Sequence, residues 1–316
     1  MGVCRTIKDI VIKGFIWYNL HRRSFQDYVL ISIKESIMIR IITDTSTLYS
    51  PAEGKELGFD VNALAVTAGG KTYIEYVDMT PAEFVKIVRA GNVPASSQPP
   101  VGGVIENYEK YPEDDIINIC MADGLSGTYA SALGAKEGLA NQDRIHVINS
   151  ATLCGPHRYM LQETKKNVDA GLSLEEVLEK LNHQIAHTRS FLMPQDFDFL
   201  RRGGRLTPLA AKALGLLKVQ PIMTQTEDGR RLESFGMGRT FMGAIKKLVS
   251  EFEKLEGHEN YRVYISHADV LDQAEKVKEL FLKTFPNLHV EILDLSPAFI
   301  TQGGPSCVAV QWTINV

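Results

Sequence analysis

Two stretches of this chain place hydroxyl side chains where the backbone has little freedom. In Pro94-Ala95-Ser96-Ser97-Gln98-Pro99-Pro100, prolines fence two serines and an amide. Fixed proline φ angles would leave those groups little entropy to lose when a ligand binds. In Asp123-Gly124-Leu125-Ser126-Gly127-Thr128, a polar turn follows the apolar run Ile116, Ile117, Ile119, Cys120, Met121 and precedes the helix-spaced segment from Tyr129 to Leu133. A strand that turns through glycines into a helix leaves unpaired backbone N–H groups at the helix N-terminus, a seat for an anion or carboxylate. Ser126 can cap that helix or, turned outward, donate its hydroxyl to a ligand oxygen. If the two turns converge they could hold one anion; if not, each is an ordinary capped turn.

Three further clusters have a chemical reading. Thr43-Asp44-Thr45-Ser46 ends the run Ile39 to Ile42, at the carboxyl edge where open α/β sheets collect ligands, or else it caps the next short helix. Asp198 to Leu206 carries Arg201, Arg202 and Arg205 around Gly203-Gly204, a positive turn suited to phosphate or an acidic partner, or a solvated charge cluster. His183 and His187 are four apart with Gln184 between them. A zinc-protease helix needs a glutamate there as general base, so these read as surface or core histidines. There is no nucleophile elbow, phosphate-loop lysine, metal-ligand spacing or dinucleotide fingerprint, so neither a cofactor nor a catalytic constellation is expected.

The elements that must position these groups alternate between strand and helix. Strands are expected at Ile39 to Ile42, Phe59 to Val66, Ile116 to Met121 and Arg144 to Asn149. Between and after them lie helices at Pro81 to Arg89, 129 to 140 and Tyr159 to Val168. The first of these opens with a Thr80 and Glu83 capping box and Pro81 at N1. Ser173 and Glu176 form another box, starting a helix that runs to about Thr188 and joins two halves. The second half reads as strands at Phe191 to Met193, Lys218 to Met223, Arg231 to Phe235, Arg262 to Ser266 and Val290 to Leu295. Its helices fall at Ala210 to Leu217, from Arg239 to Leu255 and at Leu271 to Thr284, with a last glycine-rich turn from Ile300 to Pro305. The fold class is therefore α/β, with two α/β domains at 38–170 and 171–316, the first built on an open, mostly parallel sheet.

Residues 1–37 read as an appendage or a mis-called start, because Met38 directly precedes the first clear strand; a membrane-surface anchor is the alternative. Their apolar run, Gly14 to Leu20, is too short to span a bilayer. A net charge of -4 over 316 residues argues against a broad nucleic-acid surface. Cys4, Cys120, Cys154 and Cys307 are scattered, as for reduced thiols in a cytoplasmic protein.

Taken together, these pieces resemble the DegV family, bacterial proteins that bind a fatty acid and present it to a separate kinase subunit. The resemblance rests on Thr43-Asp44-Thr45-Ser46, Ser96 to Pro100, Leu125 to Thr128, Leu200 to Leu206, Leu216 to Ile222 and Gly303-Gly304-Pro305, in that order from about Met38 to the C-terminus. It implies a lipid tunnel between the two domains, with a long-chain fatty acid and a fatty acid kinase subunit as partners. It also implies only transient membrane contact for lipid exchange, and no chemistry of the chain's own. By position, Ser96 and Ser126, with Gly127 and Thr128 beside them, would hold the carboxylate. Arg205 and Arg239 would face the kinase or the acyl phosphate. Gln302 stands where the family usually has a histidine, Asn149-Ser150 where it reads Asp-Ser, and the lysine expected shortly before Arg239 is missing.

Energetics divides the labour in such a site. Burying a chain of about 16 carbons contributes on the order of 0.8 kcal/mol per methylene. Each hydrogen bond to a charged head group adds about 1.5 to 3 kcal/mol. The tunnel would supply affinity and the hydroxyls orientation. Two rival readings remain. A hydrolase using Ser126 or Ser96 would need a base, and Gln302 cannot serve. A nucleotide- or phosphate-binding module at Gly124 to Thr128 would need an acidic ribose partner, which is not found.

Overall fold

The apolar runs of the first half are buried on both faces and so form a parallel sheet. In the computed structural model, which describes residues 38–213 and 219–316, strand β1 (Ile39–Asp44) leads through α1 (Pro51–Leu57) to β2 (Asp60–Asn62), β3 (Ala65–Ala68) and β4 (Lys71–Ile74). Then come α2 (Pro81–Arg89), β5 (Ala95–Ser97), α3 (Val101–Glu109), β6 (Asp115–Cys120), α4 (Thr128–Lys136) and β7 (Ile145–Asn149). The parallel sheet has the order β2-β1-β6-β7. Helices α5 (Cys154–Asp169) and α6 (Leu174–Ala186) lead to the second half.

There the chain forms β8 (Thr188–Met193), α7 (Phe197–Gly203), α8 (Pro208–Ala213), β9 (Gln220–Gln225), β10 (Leu232–Gly238) and α9 (Phe241–Glu253). It ends with β11 (Tyr261–His267), α10 (Leu271–Thr284), β12 (His289–Asp294), α11 (Pro297–Gly303) and β13 (Val308–Ile314). The sheet order is β10-β9-β8-β13-β11-β12, antiparallel except for the β11 and β12 pair. Strand alternation sorts its side chains. Phe191, Val310 and Trp312 pack with Phe252 and Phe281 of the helices on one face. Ser190, Leu192, Ala309 and Gln311 turn to the other face, where an apolar cavity lies.

The capping boxes at Thr80 and Ser173 form as read, and a third closes α1 through Ser50 and Glu53. Three readings change. Phe59 to Val66 splits between two sheets because the Leu64 N–H donates to Thr45 Oγ1 at 3.0 Å instead of to a strand. Ser96 and Ser97, read as a fenced loop, lie on β5, paired with β3 in the small antiparallel sheet β4-β3-β5; the prolines fall outside the paired residues and interrupt no ladder bond. The glycine-rich segments around Gly203 and Gly303 are helical: Gly204 is the left-handed cap of α7, with φ 71°, and Gln302 sits on α11. Residues 1–37 and 214–218 lie outside the described residues, and with them the end of the helix expected to Leu217 and the first residue of the strand expected from Lys218.

Candidate functional site

Helix α11 carries Gln302 across to β5, where its Nε2 donates to Ser96 Oγ at 3.1 Å. Ser96 therefore accepts that bond, and its own O–H stays free to donate. These two residues, with Ser97, Gln98, Ser126 and Gly127, border a cavity of about 300 Å3. Five sequence-selected residues, Ser96, Ser126, Gly127, Arg205 and Gln302, thus meet on one space. Thr128 does not border it. Its N–H donates to Ser126 Oγ at 3.2 Å and its hydroxyl lies 2.8 Å from the same oxygen, so it orients Ser126 from behind. Gly127, not Ser126, is the residue capping α4.

Two glycines make this approach possible. A Cβ on Gly127 would lie 2.0 Å from Gln98 Oε1, and one on Gly203 would lie 2.0 Å from Gln302 Oε1. Gln98 was legible only as an amide among hydroxyls; its contact with Gly127 is long-range and left no signal of its own.

Arg205 joins the halves at this point. Its Nε donates to Leu125 O at 3.1 Å and another guanidinium N–H donates to Gly203 O. It borders the polar cavity, the apolar one and an open cleft of about 890 Å3 flanked by Arg230 and Arg231. Arg239 is not with it. The Leu232 N–H bonds Arg205 O, whereas Arg239 follows Gly238 at the other end of β10, roughly 20 Å of strand away, and is exposed. Arg201 is paired with Asp198 at 2.8 Å.

The apolar cavity, about 100 Å3, adjoins the polar one: Met121, Leu125, Arg205, Phe299 and Gln302 border both. From there it runs along the face of the second sheet between Leu153, Leu192, Met223 and Ala309.

The Thr43 to Ser46 turn does not reach either space. Asp44 accepts from the N–H groups of Ser46 at 2.9 Å and Met121 at 3.0 Å, so it fastens the ends of β1 and β6. His157 Nε2 lies 3.2 Å from Ile119 O, which can only accept, so Nε2 carries the proton and Nδ1 accepts from the Ser46 hydroxyl at 2.7 Å. Serine, histidine and aspartate are close here, but Asp44 does not orient His157, and all are buried. Burial pushes the His157 pKa down. Thr45 donates to Glu75 Oε1, and the Ala298 N–H donates to Glu75 Oε2 at 2.9 Å. Burial raises the Glu75 pKa to about 7, against hydrogen bonds that lower it. Glu75 therefore ties the start of α11, and so Gln302, to the end of β1. Neither Glu75 nor His157 gave a local signal in sequence.

The polar cavity offers hydroxyl, amide and guanidinium donors beside an apolar cavity, and among the described residues no histidine borders it. Such a site suits an amphipathic ligand with an oxyanion head. His183 on α6 and His187 at its C-cap lie with ring centroids 4.4 Å apart and planes tilted by 42°, and no group of metal-ligating side chains occurs among the described residues.

A family model described as "Uncharacterised protein, DegV family" matches residues 38–315. A DegV domain-containing protein of Halalkalibacterium halodurans is 30% identical over 285 residues, covering 88% of this chain and 99% of its own. The DegV domain-containing protein YejH of Lactococcus lactis is 32% identical over 278 residues, covering 86% and 98%. Among solved structures, DegV from Bacillus subtilis, a fatty acid binding protein, superposes with a TM-score of 0.78 at 24% identity, covering 89% of this chain and 100% of its own. A fatty acid binding DegV family protein from Streptococcus agalactiae gives 0.81 at 23%, with the same coverage. These likenesses extend to the fold of both sheets.

Proposed function

This chain belongs to the DegV family, and we propose that it binds a long-chain fatty acid in the apolar tunnel, with the carboxylate in the polar cavity at its mouth. In this reading Ser96 and Ser126 donate their hydroxyls to the carboxylate, and the Gln302 amide donates a second N–H beside the one already given to Ser96. The chain carries the acid without transforming it and offers the head group to a separate kinase subunit, which forms the acyl phosphate. The observation that carries the proposal is that the polar and apolar cavities adjoin, sharing Met121, Leu125, Phe299 and Gln302 in their walls.

A hydrolase at Ser96 or Ser126 is disfavoured because no histidine among the described residues borders the cavity. Denaturing mass spectrometry of the purified protein tests the reading. A co-purified fatty acid supports it, and a nucleotide in its place would overturn it. Incubation with a bacterial fatty acid kinase subunit and ATP then tests the transfer: acyl phosphate must appear only when both proteins are present.

A further inference from the structure

A buried carboxyl group stands directly behind the polar cavity without bordering it. Glu75 is fully buried; its Oε1 accepts from Thr45 and its Oε2 from the Ala298 N–H at 2.9 Å. Its own N–H donates to Leu64 O at 3.1 Å, and the Leu64 N–H donates to Thr45 Oγ1 at 3.0 Å. Leu64 and Ala298 both border the polar cavity, so one residue of wall separates this carboxyl from the ligand space. Gln302 follows Ala298 by one turn of α11, about 6 Å along the helix axis. The titratable groups facing Glu75 are Asp44 at the end of β1, Tyr76 beside it and Cys154 at the start of α5, all acidic, so none neutralises it. Arg158 and Glu53 act on Tyr76. Arg205, the one charged residue bordering the cavity among those described, is bonded to the carbonyls of Leu125 and Gly203.

A ligand carboxylate seated in the polar cavity sets a second acidic group across that wall. Two carboxylates in one poorly solvated region disfavour each other's charge, and the one that holds a proton more readily keeps it. Burial already brings the Glu75 pKa to about 7, so a further rise falls in the neutral range. We propose that this protein binds its fatty acid together with a proton, which Glu75 takes up as the ligand carboxylate enters the cavity. The inference rests on the fatty-acid reading above. Because the loaded protein holds the proton more tightly than the empty one, affinity is full below about pH 6 and falls as the pH rises through neutrality. Like charges roughly 8 to 10 Å apart in such a region change affinity on the order of tenfold once Glu75 is fully ionised.

The test is calorimetric titration with a long-chain fatty acid near pH 7.5 in buffers of different ionisation enthalpy, which counts the protons taken up per ligand bound. Wild-type protein should take up a large fraction of one proton, and Glu75→Gln close to none. Displacement titrations should show the ratio of wild-type to Glu75→Gln affinity falling roughly fivefold between about pH 6 and 8. The ligand's own titration, common to both proteins, cancels in that ratio. If the variant does not fold, infrared difference spectra of wild type with acid labelled with carbon-13 at its carboxyl decide. A protonated carboxyl band gained at the unlabelled frequency belongs to the protein and supports the inference; its absence overturns it. No proton uptake by wild type, or uptake undiminished in Glu75→Gln, overturns this inference and leaves the carrier reading standing. Failure of the acid to bind either protein overturns both.

Discussion

Gln302 and Ser96 are 206 residues apart in sequence and are joined by a 3.1 Å hydrogen bond from amide to hydroxyl. That bond fixes the direction of both groups: the serine proton and the second amide proton are left for a ligand. Neither residue could do this without Gly203, whose missing Cβ admits the Gln302 carbonyl.

The Ser126 hydroxyl stands across the same cavity, and the Thr128 N–H already fills one of its lone pairs. Ser126→Ala should weaken fatty-acid binding by about 1 to 3 kcal/mol and lower the melting temperature only slightly, because the two bonds it loses, both to Thr128, lie within one part-buried turn. Isothermal titration against a long-chain acid reads the first effect and calorimetry the second. Unchanged affinity would remove Ser126 from the site.

Arg205 and Arg239, paired in function by the sequence, separate in the fold. Arg205→Ala frees the carbonyls of Leu125 and Gly203 at the junction of the two cavities, so it should reduce both thermal stability and lipid affinity, each by about 1 to 3 kcal/mol. Arg239→Ala should alter neither, since its side chain is exposed at the far end of β10. A variant Arg205→Ala that keeps its stability and its lipid but loses phosphorylation would return that arginine to the partner surface.

How much could be read in advance follows from the range of each signal. The parallel strands β1, β6 and β7 were visible because their short segments are rich in isoleucine and valine, and α2 and α6 because capping boxes are local. The helices α7 and α11 were read as turns because each has seven residues and ends at glycine, too short for helical periodicity to outweigh the glycine pair. Ser96, Ser126 and Gln302 were named from motif order, but the hydrogen bond between Gln302 and Ser96 is long-range. Glu75 was invisible for the same reason: its partners, Thr45 and Ala298, lie 30 and 223 residues away.

Glu75 gives the fold a pH signature. Its folded pKa is raised from 4.5 to about 7, so between those values the native state holds a proton that the unfolded chain has released. Its contribution is full below about pH 4.5 and is lost as the pH rises to about 7, roughly 3 kcal/mol in all. His157 and His267, both pushed down by burial, act oppositely, losing stability as the pH falls through the usual histidine range. The comparison with Glu75→Gln isolates the carboxyl. Its amide can accept from the Ala298 N–H and donate to Thr45, so the variant should gain on wild type as the pH rises from about 5 to 8. Parallel denaturation curves for the two proteins across that range would mean that Glu75 is ionised in the fold throughout.

Position 302 supplies the sharpest test of the head-group seat. Gln302 is neutral, so its own contribution to binding cannot follow pH, whereas a histidine on the same turn of α11 would carry charge against a carboxylate as it titrates. Gln302→His should therefore bind a long-chain acid more tightly by roughly 1 kcal/mol at about pH 6, the difference between charge-assisted and neutral hydrogen bonds, and lose that advantage by about pH 8. Because Glu75 holds the start of α11 in both proteins, any pH effect transmitted through the helix cancels in the ratio of the two affinities. A ratio that stays constant across this range would show that residue 302 orients Ser96 without touching the ligand.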